Sequence, residues 1–419
     1  MYMNSDNKMD VYVLDNGIRV VFEQNNHLNS VTVGAWIGVG SRDENSKNNG
    51  ISHMIEHMLF KGTSTMSAKR LAERCAIIGG NLNAYTSKEN TEFYCKTLPS
   101  CLKEAIDILG DMICHPRLDE EDLEREKGVV CEEIDMYKDS PEDAVHEILQ
   151  NKIWKKQPLG YLISGKKKNV NGFTASYIRE YMDKYYVGEN IVVSVAGNFK
   201  KKETLSWIKE AFYEVKSRGE AFIHNRIIPT YNTVSFVKEK DIEQLHMNLA
   251  FKAPSFMDED RYAAVILNNI LGSDVNSRLF QTVRENNGLT YSVCSYPSSF
   301  SDTGLLHIYA AMNETQYKKV YSLIEDIIYK LNEKGITASE LNDAKKQTIV
   351  EMTLSQDSTA SRMSANAKRV IYNVNNESFD ERINRINDVT KSDVNKLIRK
   401  YLKMEEMSKG IIGPMNLNI

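Results

Sequence analysis

Apolar and polar positions alternate over residues 11–14 and 18–22, on either side of Asp15-Asn16-Gly17, and predict two strands closed by a tight turn. A third strand over 30–38 leads into a polar loop, 41–49. Two helical stretches follow, 51–61 and 67–78. The second ends at Gly79-Gly80, since glycine enters the left-handed conformation that closes a helix at little steric cost. Residues 81–97 read as two short strands around Ser87-Lys88-Glu89-Asn90. Leu102, Ala105, Ile106, Leu109, Met112 and Ile113 then recur at the spacing of a helix with one apolar face. A long charged helix runs from Asp119 to about Lys138, where Asp139-Ser140-Pro141 breaks it. Residues 174–186 are helical, and 191–196 form an apolar run of the buried-strand type.

The second half repeats this order, with a strand over 244–251, helices over 258–271 and 277–286, and paired strands over 289–296 and 304–311. A helix over 320–331 and a long one from about Ala338 complete it. The repetition reaches individual residues. Thr174-Ala-Ser-Tyr-Ile matches Thr390-Lys-Ser-Asp-Val at an offset of 216, kept through Tyr181/Leu397, Lys184/Lys400 and Tyr185/Tyr401. Leu118/Ile336, Leu123/Leu341, Lys127/Lys345 and Glu133/Glu351 share an offset of 218. Two matches at nearly equal offsets predict a duplication, with halves at 1–215 and 231–419 joined by a linker at 216–230. Strands followed by runs of helices, without strict alternation, predict an α+β fold in which each half is an antiparallel sheet packed with helices.

Charge and composition narrow the function classes. The 419 residues carry 53 Lys+Arg against 57 Asp+Glu, a formal net charge of −4, which argues against a nucleic-acid binder. No segment approaches the roughly 18–20 apolar residues that span a bilayer, so no membrane association is expected. The N-terminus, MYMNSDNKMD, has no apolar core behind a basic start and is not read as a secretory signal. The 6 cysteines form no Cys-x-x-Cys pair and read as free thiols, so a cytoplasmic location is expected.

The chemistry concentrates in His53-Met54-Ile55-Glu56-His57. On a helix, residues i and i+4 share a face, so both imidazoles reach one ion, and Glu56 at i+3 from His53 reaches beside it. Catalytic zinc takes three protein ligands, keeps a position open for water, and needs a carboxylate to take the proton from that water. His-x-x-Glu-His is the reversed form of the commoner His-Glu-x-x-His zinc helix. A third ligand is expected from a carboxylate on another element. The 119–138 helix offers Glu120, Glu121, Asp122, Glu124, Glu126, Glu132, Glu133 and Asp135, among which periodicity does not choose.

His53-Met-Ile-Glu-His-Met-Leu-Phe-Lys-Gly-Thr63, Asn83-Ala-Tyr-Thr86 and Glu124-Arg-Glu-Lys-Gly-Val-Val-Cys-Glu-Glu-Ile134 resemble the inverzincin peptidases. That family includes insulin-degrading enzyme, pitrilysin and the mitochondrial processing peptidase. Ser277-Arg-Leu-Phe-Gln and Arg284-Glu-Asn-Asn-Gly-Leu-Thr-Tyr291 match its C-terminal pattern, so the resemblance covers nearly the whole chain. With one pair of halves, the chain is most similar to the processing-peptidase subgroup and the short bacterial members.

The resemblance implies a zinc endopeptidase whose two halves close as a clamshell chamber over unfolded or short peptides. It makes His53, His57 and Glu133 the zinc ligands, Glu56 the general base, and Glu126 the acid that orients a ligand histidine. Phe60 would line the pocket beyond the cleaved bond, and Asn83 and Ala84 would belong to an edge strand that pairs with substrate. Asp143 and Glu147 match acids that take a basic substrate residue near the cleavage point. Arg284 and Tyr291 would position substrate and stabilise developing charge. The second half has Leu271-Gly-Ser-Asp-Val275 in place of the motif, and Glu351 lacks histidine partners, so one zinc per chain is expected. Because one chain carries both sets of elements, a homodimer is favoured over a heterodimer with a related chain. A non-catalytic scaffold of the respiratory-complex type stands as a further alternative.

Overall fold

A computed structural model describes residues 9–374 and 377–414. Most of the N-terminal stretch read above for a signal, residues 1–8, lies outside them. Among the described residues the strands are β1 (Asp10–Val13), β2 (Arg19–Gln24), β3 (Val31–Ile37), β4 (Asn81–Thr86), β5 (Thr91–Thr97), β6 (Ile191–Gly197), β7 (Ser235–Glu239), β8 (Leu245–Ala253), β9 (Ser292–Ser299), β10 (Gly304–Met312) and β11 (Ser408–Gly413). The first helices are α1 (Ile51–Leu59), α2 (Ala68–Ile77), α3 (Leu102–Cys114), α4 (Glu120–Asp139), α5 (Pro141–Ile153), α6 (Lys167–Val170), α7 (Ala175–Tyr185) and α8 (Lys201–Ala211). They are followed by α9 (Arg261–Asn268), α10 (Tyr317–Lys334), α11 (Ala338–Ser355), α12 (Thr359–Ile371), α13 (Phe379–Asp388) and α14 (Lys391–Tyr401). No described helix is long and apolar enough to cross a membrane.

Two sheets carry the fold, in the orders β1-β2-β6-β3-β5-β4 and β7-β11-β8-β10-β9. The α+β class is as expected, with one parallel pair in each otherwise antiparallel sheet: β2 with β6, and β7 with β11. The cause is topological. A strand that returns to the sheet through a run of helices can re-enter in the direction of its neighbour, which a hairpin never does. With β2, β6, β3, β5 and β4 set against β7, β11, β8, β10 and β9, the two sheets have one topology. The helices repeat as well: α4 and α11 begin at an offset of 218, and α7 and α14 share both ends at 216. Thr174 and Thr390 cap the latter pair alike, each hydroxyl accepting the backbone N–H three residues on.

The chain forms two compact units whose segments interleave. The first contains residues 1–135, 161–226 and 353–379, and the second 136–160, 227–352 and 380–419. Where the sequence places a division at 216–230, contacts place one at 226/227 and exchange two further segments. In the first unit, β3 and β6 are buried at every position because both faces of the sheet are covered. The α12 helix covers one face, with Trp36 Nε1 3.3 Å from Met363 Sδ and Thr32 Oγ1 2.8 Å from Thr359 Oγ1. In the second unit, α5 packs on β8 and β11, and Trp154 meets Phe300 edge-on at 5.5 Å. These two covering helices are themselves repeat counterparts, at an offset of 218.

Where α5 packs on the second sheet, its half-buried His146 joins a polar cluster. Asn248 Nδ2 donates to His146 Nδ1 at 2.6 Å, and Asn248 Oδ1 lies 3.2 Å from Nδ1 of the fully buried His307. The His307 Nε2 has no hydrogen-bond partner among the described residues. Burial pushes His307 down to about 3, and His146 down to about 4 against a smaller pull from Asp143. Both rings therefore stay neutral in the folded chain, while in the unfolded chain they take up protons below about pH 6.5. Stability is lost as pH falls, by about 2 kcal/mol per histidine between pH 7 and pH 5. In urea unfolding at both pH values, His307→Gln should lose about 2 kcal/mol less than wild type over that interval. Equal losses in the two proteins would contradict this reading of the cluster.

Candidate metal centre

The loop before α1 fixes how that helix starts. Gly50 stands at its N-cap with φ of 103°, where a side chain would be strained and a Cβ would meet Gly165 Cα at 2.9 Å. The Glu44 carboxylate accepts the backbone N–H groups of Gly50 at 2.7 Å and Ser52 at 2.9 Å, together with Asn49 Nδ2 at 2.9 Å. A carboxylate buried among these donors answers the otherwise orphaned N–H groups of the helix start. The inner face of α1 is held in the core by Ile51, Met54, Ile55, Met58 and Leu59. This sets the direction in which His53, Glu56 and His57 leave the helix.

His53 and His57 stand on adjacent turns with ring centroids 4.6 Å apart. Opposite them, α4 brings Glu133, whose Oε1 lies 3.6 Å from His53 Nε2 and whose Oε2 lies 3.3 Å from His57 Nε2. The three ligand atoms lie within 4.8 Å of one another. Tetrahedral zinc with bonds of about 2.0–2.1 Å separates its ligand atoms by about 3.4 Å, so these residues fit such an ion. Seven residues earlier on α4, the buried Glu126 places Oε1 2.8 Å from His57 Nδ1. That contact fixes the ring, leaving Nε2 directed at Glu133. Lys61 Nζ holds the other Glu126 oxygen at 2.5 Å.

The electrostatics also suit a cation. Burial disfavours the charged form of His57, yet its hydrogen bonds with Glu126 and Glu133 outweigh that and push it up to about 9. Hydrogen bonds with His53 and His57 hold the Glu133 carboxyl far below the usual range. The carboxylates demand positive charge here, which protons on imidazole or a divalent ion can supply.

Glu56 accepts a hydrogen bond from the Thr86 hydroxyl at the end of β4. Its charge helps raise Glu92, which burial pushes up to about 7 against the opposing pull of Lys368. Asn83 is exposed and Ala84 half-buried on β4, an edge strand that among the described residues pairs only with β5. Phe60 follows α1 directly, half-buried, with its ring 6.4 Å from Phe93. The first unit thus brings His53, His57, Glu133 and Glu126 into contact, and Glu56, on the same helix as the histidines, is tied to the end of β4.

Asp143, Glu147, Arg284 and Tyr291 belong to the second unit. Asp143 is exposed near the start of α5, one turn before Glu147 on the same helix face. Arg284 is stacked between Phe280 at 4.8 Å and Tyr291 at 4.6 Å, and Tyr291 is 81% exposed. Sequence reasoning assigned no role to Glu44, Lys61 or Thr86. Lys61 alone left a local signal, at i+4 from His57 on the same helix face.

A family model described as Insulinase (Peptidase family M16) matches residues 19–167, and one described as Peptidase M16 inactive domain matches 172–348. The chain belongs to the insulinase family of peptidases. The uncharacterized zinc protease YmxG of Bacillus subtilis is 41% identical over 406 residues, covering 96% of this chain and 98% of that protein. An uncharacterized zinc protease of Streptomyces coelicolor is 34% identical, covering 96% and 89% of the two chains. Among solved structures, a protease from Helicobacter pylori superposes with a TM-score of 0.90 at 22% identity, covering 97% and 99%. A chain of complex III2 from Candida albicans reaches a TM-score of 0.84 at 19% identity, covering 98% and 97%. Such likenesses establish the insulinase-type fold, and activity has to be argued from the site.

Proposed function

We propose that this chain is an active zinc endopeptidase acting on short peptides or flexible protein segments held extended, with one zinc per chain. The observation that carries the reading is the convergence of His53, His57 and Glu133, with Glu56 one helical position from His57. The zinc-protease names of its relatives agree with that choice of metal.

When bound, zinc supplies a Lewis acid that acidifies a water molecule and polarises a peptide carbonyl. His53, His57 and Glu133 hold the ion, and Glu126 keeps the His57 ring turned towards it. Glu56 takes the proton of the attacking water and passes it to the departing amine. The Thr86 hydroxyl occupies one oxygen of Glu56 and leaves the other for that proton. An extended peptide adds to the open edge of β4 at Asn83 and Ala84, where main-chain hydrogen bonds bind it with little regard to sequence. Phe60 lines the pocket next to the cleaved bond in this reading. Asp143 and Glu147 receive a basic side chain, and Arg284 and Tyr291 position the substrate.

The form we assign is a cytoplasmic homodimer, active without other proteins. The purified chain is expected to cleave an internally quenched peptide and to leave a stably folded protein intact. Inactivity that a second insulinase-family chain restores would assign it to a partner-dependent peptidase. Inactivity without bound zinc would assign it to a scaffold.

A further inference from the structure

At the far end of β4 from Glu56, the first unit opens a groove of about 490 Å³, lined by Ile77, Ile78, Asn81, Lys96, Leu98 and Cys101 among others. Two of its apolar side chains project into solvent, Ile77 at 75% exposure and Leu98 at 57%. Both are large apolar side chains that gain free energy when a partner covers them. Ile77 ends α2, just before the turn at Gly79 with φ of 58°, and Leu98 follows β5.

The groove meets β4 at the first residue of that strand. Asn81, the first residue of the strand, lines it, and Thr86, the last, holds Glu56. Asn81 and Thr86 are separated by five residue steps, or about 17 Å of extended chain. A peptide added along this edge with its reacting bond beside Glu56 therefore reaches the groove end of the strand about five residues away.

We propose that Ile77 and Leu98 form an apolar specificity pocket for a substrate side chain about five residues from the cleaved bond on one flank. The occupant is the substrate peptide itself, carrying leucine, isoleucine or phenylalanine at that position. This rests on the peptidase reading and deepens it. Backbone pairing with β4 recognises any extended chain, and the pocket selects among them. Lys96 on the rim disfavours a basic residue at the same place.

The test uses internally quenched peptides that differ only in Leu or Ser at the fifth residue on each flank. On one flank, wild type should cleave the Leu peptide about tenfold faster in kcat/KM, mostly through KM, as expected for one apolar side chain in a pocket. In Leu98→Asp that ratio should fall to about one. In Val13→Asp, which alters a 69% exposed residue on the opposite edge strand, it should stay near tenfold. A ratio near one in wild type, or one that survives Leu98→Asp, overturns the pocket while cleavage itself upholds the peptidase reading. If no peptide is cleaved, that reading fails, and the pocket is decided by anisotropy of labelled peptides. Tighter binding of the Leu peptide to wild type than to Leu98→Asp upholds it, and equal binding overturns it.

Discussion

Glu56→Gln is expected to abolish peptide cleavage while the chain keeps its fold and its zinc. General acid–base catalysis by one positioned group contributes about 10²–10⁴-fold, and Glu56 is the carboxylate on α1 beside His57 and outside the three-ligand group. The amide that replaces it still accepts the Thr86 hydroxyl, so the local hydrogen bond survives and the proton acceptor is lost. A fall of at least about 10²-fold in kcat/KM, with KM for a quenched peptide little changed, is the predicted result. Metal analysis of the same preparation should return the wild-type content. Undiminished hydrolysis by clean Glu56→Gln protein would remove Glu56 from the mechanism.

Glu133→Gln is expected to empty the site. Its two oxygens lie 3.6 Å and 3.3 Å from the ring nitrogens of His53 and His57, so it is the group that joins the α1 histidines to α4. Substitution removes the anionic ligand and the charge that makes a divalent ion favourable. Zinc affinity should fall well beyond the about 10–100-fold expected for Glu126→Gln, which disturbs only the orientation of His57. Competition with a fluorescent chelator measures both variants on one scale. The order is the prediction: Glu133→Gln weaker than Glu126→Gln, and both weaker than wild type. Wild-type affinity in Glu133→Gln would move the third ligand elsewhere.

The site was partly legible in the sequence because helix geometry is local. Two histidines four residues apart share a face whatever surrounds them, and α1 delivers His53 and His57 as that spacing requires. The partner on α4 was not legible from periodicity, since nine acids occupy that helix. Packing separates them: Glu126 is buried and Glu133 half-buried facing the α1 histidines, Glu120, Glu121, Glu124 and Glu132 are exposed, and the half-buried Asp122 and Asp135 pair with Arg125 and Lys167. That choice depends on how α4 is rotated against α1, which no local pattern encodes. Glu44 was silent for the same reason, since it caps a helix from six residues upstream of Gly50.

At the level of the fold, the duplication was readable because α7 and α14 coincide at both ends at an offset of 216 and α4 and α11 begin at an offset of 218, which keeps the matching residues in step. Strands β7 and β11 were not read. The first is a mostly exposed edge strand, and Gly410 and Gly413 interrupt the apolar pattern of the second. The exchange of α5 and α12 between units was also hidden. An apolar helix face announces that it will be buried, and which sheet buries it is settled by long-range packing.

The central claim is that one zinc ion held by His53, His57 and Glu133 makes this chain a peptidase. The most direct measurement titrates zinc into chelator-stripped protein while following hydrolysis of a quenched peptide. The account predicts no cleavage without metal and a linear rise that breaks at one zinc per chain. Cleavage that persists in fully stripped protein, or a chain that binds one zinc and stays inert on every peptide, would contradict it.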